Sequence, residues 1–138
     1  MPQLNWNEYE FVECLEVLPA VEYTVEHRFV VERSGIELTV TVWQLESIVQ
    51  LAIRQVDQKL PLIKFVLVVR DKVRHLKGPD GSECLEFLNV FLAPRRGSYT
   101  EYPSHDWYDP TQLPGLEAVR LFVKPAIRVE LQRDASFL

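Results

Sequence analysis

Apolar and polar side chains alternate with a period of two along most of this chain. Over 21–32, Val21, Tyr23, Val25, His27, Phe29 and Val31 fall on one face and Glu22, Thr24, Glu26, Arg28, Val30 and Glu32 on the other, the pattern of a half-buried strand. After Arg33-Ser34-Gly35, where glycine supplies the positive φ of a tight turn, Ile36, Leu38, Val40 and Val42 alternate with Glu37, Thr39, Thr41 and Trp43. The two runs predict a β-hairpin.

Two templates fit residues 45–59. Ile48, Val49, Ala52, Val56 and Leu60 make a helical stripe, whereas Val49, Leu51 and Ile53 alternate with Gln50, Ala52 and Arg54. The strands on either side favour a strand at 47–55 and a turn at Asp57-Gln58-Lys59. Residues 61–70 are apolar on both faces, as Ile63, Phe65, Leu67 and Val69 interleave with Leu62, Val66 and Val68, so they belong in the middle of a sheet.

Lys77-Gly78-Pro79-Asp80-Gly81-Ser82 is dense in turn residues and predicts a connection between strands near 71–77 and 83–92. In the second of these, Leu85, Phe87 and Phe91 share one face and Cys84, Leu88, Val90 and Leu92 the other. A last strand is expected from Val119 through Val123, interrupted at Pro125 and resumed at Ile127, Val129 and Leu131. Proline has no N–H for the ladder, so Pro125 marks an edge, a bulge or a crossing between sheets. With residues 9–17 as a weaker first strand the count is about eight. The expected fold is therefore all-β, an antiparallel β-sandwich of possible jelly-roll type, with a long irregular loop before the last strand.

Length and composition fit this picture. A chain of 138 residues that is 47% hydrophobic and 25% charged can bury one ordinary core, so residues 1–138 read as a single domain. The longest apolar run, Phe65-Val66-Leu67-Val68-Val69, is far short of the roughly 20 residues of a membrane-crossing helix, so no membrane association is expected. The first residues carry no basic, apolar and cleavable series of the kind that directs export, and a cytoplasmic location is expected. In that reducing setting Cys14 and Cys84 read as small core hydrophobes.

The formal charge of −5 is uneven. Residues 1–57 hold ten acidic side chains against Arg28, Arg33 and Arg54, a net of −7, whereas residues 58–138 hold twelve basic and ten acidic, a net of +2. The one basic cluster, Arg70 to Lys77, reads as a solvated strand edge. Nucleic acid is not expected as a partner.

Residues 93–118 stand apart. These 26 residues hold four of nine prolines and three of five tyrosines without sustained periodicity, a length of irregular chain that is uncommon in compact domains unless it has a function. Arg95, Arg96, Tyr99 and Tyr102 read first as closing one end of the sandwich upon itself, with arginine stacked on tyrosine, and second as a recognition surface, since these types are enriched at hot spots. His105, Asp106, Trp107, Tyr108 and Asp109 combine an imidazole with two carboxylates and two aromatic rings. That group reads first as a turn with ring packing, then as a partner contact, and last as a metal or acid–base site. His27, alone on an apolar face, reads as a hydrogen-bonded core residue rather than a ligand.

The sequence shows no G-x-S-x-G elbow, phosphate-cradling loop, C-x-x-C or H-E-x-x-H, and the carboxylates beside Cys14 and Cys84 disfavour a reactive thiolate. No catalytic residue, metal or cofactor is therefore assigned. The leading expectation is a non-catalytic binding module, most plausibly for another protein, acting through 93–118. The alternatives are a small-ligand or metal-dependent enzyme using His105, Asp106 and Asp109, and a structural subunit that self-associates.

Overall fold

The computed structural model describes residues 3–93 and 115–133. Within them lie one helix, α1 (Glu8–Leu15), and nine strands: β1 (Ala20–Glu22), β2 (Glu26–Arg33), β3 (Ile36–Trp43), β4 (Ile48–Gln55), β5 (Ile63–Val69), β6 (Val73–Lys77), β7 (Glu83–Leu92), β8 (Gly115–Phe122) and β9 (Arg128–Gln132). The expected all-β antiparallel class is the observed one. The strands form one sheet in the order β1-β2-β3-β4-β5-β7-β8-β9, with β6 also paired to β7, and the sheet is not closed.

A single sheet makes both layers of the core because it curls. Phe11 on α1 lies 5.4 Å from Phe29 on β2 and 6.1 Å from Phe87 on β7, ring centre to ring centre. Four strand spacings of about 4.8 Å separate β2 from β7 along the ladder, so a flat sheet would hold these strands about 19 Å apart. The concave face bends around α1 instead. Phe11, Cys14 and Leu15 meet Phe29, Val40, Leu51, Leu67, Leu85, Phe87, Val119 and Leu121 in one buried cluster.

The helix overturns the expected strand at 9–17. Phe11, Cys14 and Leu15 are spaced i, i+3, i+4, which is a helical stripe. The Asn7 side chain caps it by accepting from the Tyr9 N–H at 2.9 Å. Glu16 closes it in the left-handed conformation, its N–H donating to the Val12 carbonyl at 2.8 Å.

Three further expectations change. The run 21–32 is two strands, because Tyr23 and Thr24 take positive φ (52° and 60°) and turn the chain back, so that Val21 faces His27 in the ladder. The interrupted last strand is also two: the chain reverses around Pro125, and β8 and β9 pair antiparallel from Phe122↔Arg128 to Ala118↔Gln132. In β7 the alternation shifts at Asn89, whose φ is 58°, so Leu85, Phe87 and Val90 reach the core together. Three residues, Arg70-Asp71-Lys72, lie opposite Leu88-Asn89 between the pairs Val69↔Val90 and Val73↔Phe87, which is a bulge of one residue.

The strand at 47–55 and the hairpin turn at Ser34-Gly35 fall where the pattern put them. The loop expected over 93–118 is shorter at its far end, since Gly115, Leu116, Glu117 and Ala118 belong to β8. No helix among the described residues is long and apolar enough to cross a membrane.

Candidate functional site

Arg95, Arg96, Tyr99, Tyr102, His105, Asp106, Trp107, Tyr108 and Asp109 all lie outside the described residues. The points where their segment leaves and rejoins the sheet are described. The Ala93 N–H donates to the Val66 carbonyl at 2.9 Å, and Gly115 pairs with Phe91, so both ends sit at one place on the sheet. A second apolar cluster surrounds that place on the outer face: Trp43, Ile48, Val66 and Val68, with Phe91 and Ala93 packed on them. The Arg70 guanidinium lies 5.0 Å over the Phe91 ring. Alternation had put Trp43 beside Thr39 and Thr41 on a polar face, and only the register Trp43↔Ile48↔Val68↔Phe91 shows why it is buried there.

The N-terminal rim of the trough is apolar and exposed. Tyr9, Leu18 and Tyr23 keep more than four fifths of their surface, and Val21 about half. The register Val21↔His27 puts Val21 on the side of the sheet that carries α1, because His27 Nδ1 lies 3.6 Å from the Glu8 carboxylate of the helix. That distance is too long for a hydrogen bond. Neither ring nitrogen of buried His27 has a hydrogen-bond partner, and the ring meets Trp6 edge-on at 5.0 Å. His27 is thus buried as its position predicts, but without the hydrogen bonds expected of a core histidine. The rim is acidic as well, with Glu8 and Glu10 in the first turn of α1 and Glu22 on β1.

Two ionic clusters were not legible in the sequence. One ties the end of α1 to the sheet: Lys77 donates to Glu13 at 2.6 Å, Lys124 bonds Glu16, and Glu83 receives Lys124 at 3.2 Å and contacts His75 Nε2 at 2.8 Å. Burial acts to raise the Glu83 carboxyl, but the bonds from His75 and Lys124 outweigh it and hold the group below its ordinary value. The other cluster crosses the outer face as a row of ladder partners, Arg74↔Glu86↔Arg120↔Glu130, on β6, β7, β8 and β9. Glu86 is fully buried and accepts from Arg74 Nε at 2.6 Å and Arg120 Nε at 2.8 Å. Burial pushes its carboxyl up and the two guanidinium bonds pull it further down, so Glu86 stays ionised.

These groups are consumed in holding the fold. Both thiols are free and buried. Burial pushes Cys14 up to about 12 and raises Cys84 as well, so neither is a thiolate nucleophile at neutral pH. Among the described residues no group of three or more His, Cys, Asp or Glu side chains could hold a metal ion. A shallow hollow at the β4–β5 turn, lined by Gln55, Asp57, Gln58, Lys59, Leu60 and Leu62, carries no thiol, hydroxyl or imidazole. What the described surface offers is contact area, in the exposed aromatic and aliphatic side chains beside α1 and in Leu60, Leu62 and Ile63 at the β4–β5 turn.

The chain matches no protein family model and no curated protein. Among solved structures it is similar to a chain of a contact-dependent growth inhibition toxin–immunity protein complex from Klebsiella pneumoniae 342, with a TM-score of 0.60 and 11% identity. The match covers 96% of this chain and 98% of that one, so the two share the whole fold.

Proposed function

We propose that this chain is a non-catalytic binding module for another protein, working in the cytoplasm. The observation that carries the reading is the exposed rim of Tyr9, Leu18, Val21 and Tyr23. Large aromatic and aliphatic side chains exposed beside polar groups, tyrosine above all, are of the types that recognition surfaces use. The carboxylates beside the rim, and the net −7 of residues 1–57, favour a partner with a basic face. The segment 93–118 supplies a second contact in this reading, through Arg95, Arg96, Tyr99, Tyr102, His105, Asp106, Trp107, Tyr108 and Asp109. The fold shared with a chain from a complex of two proteins supports the same class of role. Two free buried thiols suit a reducing compartment.

Crosslinking capture from the native host, followed by calorimetry with the purified partner, tests the reading. Leu18→Asp with Tyr23→Asp, or Arg96→Ala with Trp107→Ala and Tyr108→Ala, is expected to weaken binding about ten-fold or more. A partner whose affinity neither set changes would refute both contacts. A shift in melting temperature on adding or chelating divalent ions would instead favour a metal site at His105, Asp106 and Asp109.

A further inference from the structure

The sheet is open, and β9 is its last strand: β8 pairs with one side of it, and no strand among the described residues pairs with the other. We infer that β9 pairs antiparallel with β9 of a second copy of this chain, about a two-fold axis at Val129. This edge lies at the opposite end of the strand order from β1, so the inference goes beyond the binding role proposed above.

The sequence of β9 selects the register. Side chains alternate across the sheet, so two copies keep their core faces on one side only when some residue stands opposite itself. An axis at Arg128 or at Glu130 sets like charges against each other, which destabilises a cross-strand pair. An axis at Val129 sets Arg128 against Glu130 of the second copy twice, by symmetry, and Ile127 against Leu131. Leu131, 46% exposed in one copy, then gains an apolar neighbour.

The outer face points to the same register. Arg74, Glu86, Arg120 and Glu130 alternate in sign across four successive strands. The position beyond Glu130 in this pairing is Arg128 of the second copy, which continues the alternation across the axis. Within one copy Arg128 reaches Glu130 at 3.3 Å and stacks over Phe122 at 4.1 Å, so its charge is already held on this face beside the edge. Charged side chains on an edge strand discourage pairing with unrelated strands. Here the same two charges become complementary in one self-pairing.

Sedimentation equilibrium over a concentration series tests this. The unmodified chain is expected to approach twice the monomer mass. Arg128→Glu and Glu130→Arg are each expected to weaken self-association roughly ten-fold or more, since each replaces two attractive pairs with two repulsive ones. Mixed in equal amounts, the two variants are expected to pair with each other, because all charges across the axis are then opposite. A monomer at the highest soluble concentration, or a dimer that neither variant weakens, would overturn the inference. If a variant fails to fold, amide exchange on the unmodified chain decides: outward amides of β9 that slow with rising concentration support the pairing, and exchange there that is independent of concentration overturns it.

Discussion

Replacing Glu86 with glutamine keeps the shape of a buried side chain and removes its charge. The side chain is 2% exposed and each carboxylate oxygen accepts one guanidinium N–H, from Arg74 and from Arg120. A hydrogen bond to a charged group contributes roughly 1.5–3 kcal/mol net. Glutamine keeps one acceptor oxygen and turns its NH2 towards the other guanidinium, so one bond is lost and one is weakened. The arginines are partly in water, with 48% and 32% of their side chains exposed, and regain hydration rather than standing as stranded charges. The loss is therefore about 2 kcal/mol, below the roughly 3–5 kcal/mol of breaking a fully buried pair. For a chain of this length that lowers the melting temperature by about 6–10 °C. The pH dependence separates charge from shape. The folded-state pKa of Glu86 is depressed, so its contribution is fully present above the unfolded carboxyl value of about 4.3 and fades as pH falls through the folded value. Urea titrations at a series of pH values should show a gap between Glu86→Gln and the unmodified chain that is constant from pH 7 to about 5.5 and narrows below about 4.3. Equal stability at pH 7, or a gap that persists unchanged in acid, would refute the reasoning.

Other consequences are as direct. Cys14, raised to about 12, and Cys84, also raised, should resist a thiol reagent in the folded chain and react fully in denaturant; stoichiometric labelling of either under native conditions would contradict their burial. Asn89 holds a left-handed backbone at φ 58°, so Asn89→Ala should cost roughly 1 kcal/mol in a denaturant titration while Asn89→Gly leaves stability unchanged or higher, and equal losses in both would show that the side chain matters more than the backbone.

The strands were legible where alternation was clean and a turn residue marked the end, as at Ser34-Gly35 and at Gly81 before β7. They were misread where backbone geometry changed without a glycine. Tyr23, Thr24 and Asn89 all take positive φ, and nothing in an alternating run advertises a tyrosine or threonine there. The helix escaped notice because eight residues match a period of two nearly as well as 3.6, and its apolar stripe is only three residues wide. Glu86 and Trp43 show the larger limit. Alternation assigns a residue to a face, but whether that face holds water, a guanidinium or another ring depends on register with strands far along the chain. The loop residues, from Arg95 to Asp109, remain the functional expectation they were, joined now by a rim of Tyr9, Leu18, Val21 and Tyr23 that no motif marked.

The seating of Phe11 between Phe29 and Phe87 sets an order of events for a chain emerging from a ribosome. Helix α1 is made first, and the meander from β2 to β5 can zip strand by strand behind it, each step joining neighbours in sequence. The trough has no far wall until β7 has been synthesised, so Val40, Leu51 and Leu67 wait with one side of the core missing. For that interval the nascent chain presents an apolar concavity with α1 lacking its contacts to β6 and β7, the kind of half-built surface that chaperones cover and neighbouring nascent chains aggregate upon. A chain ended after β5, at Val69, would hold that state permanently.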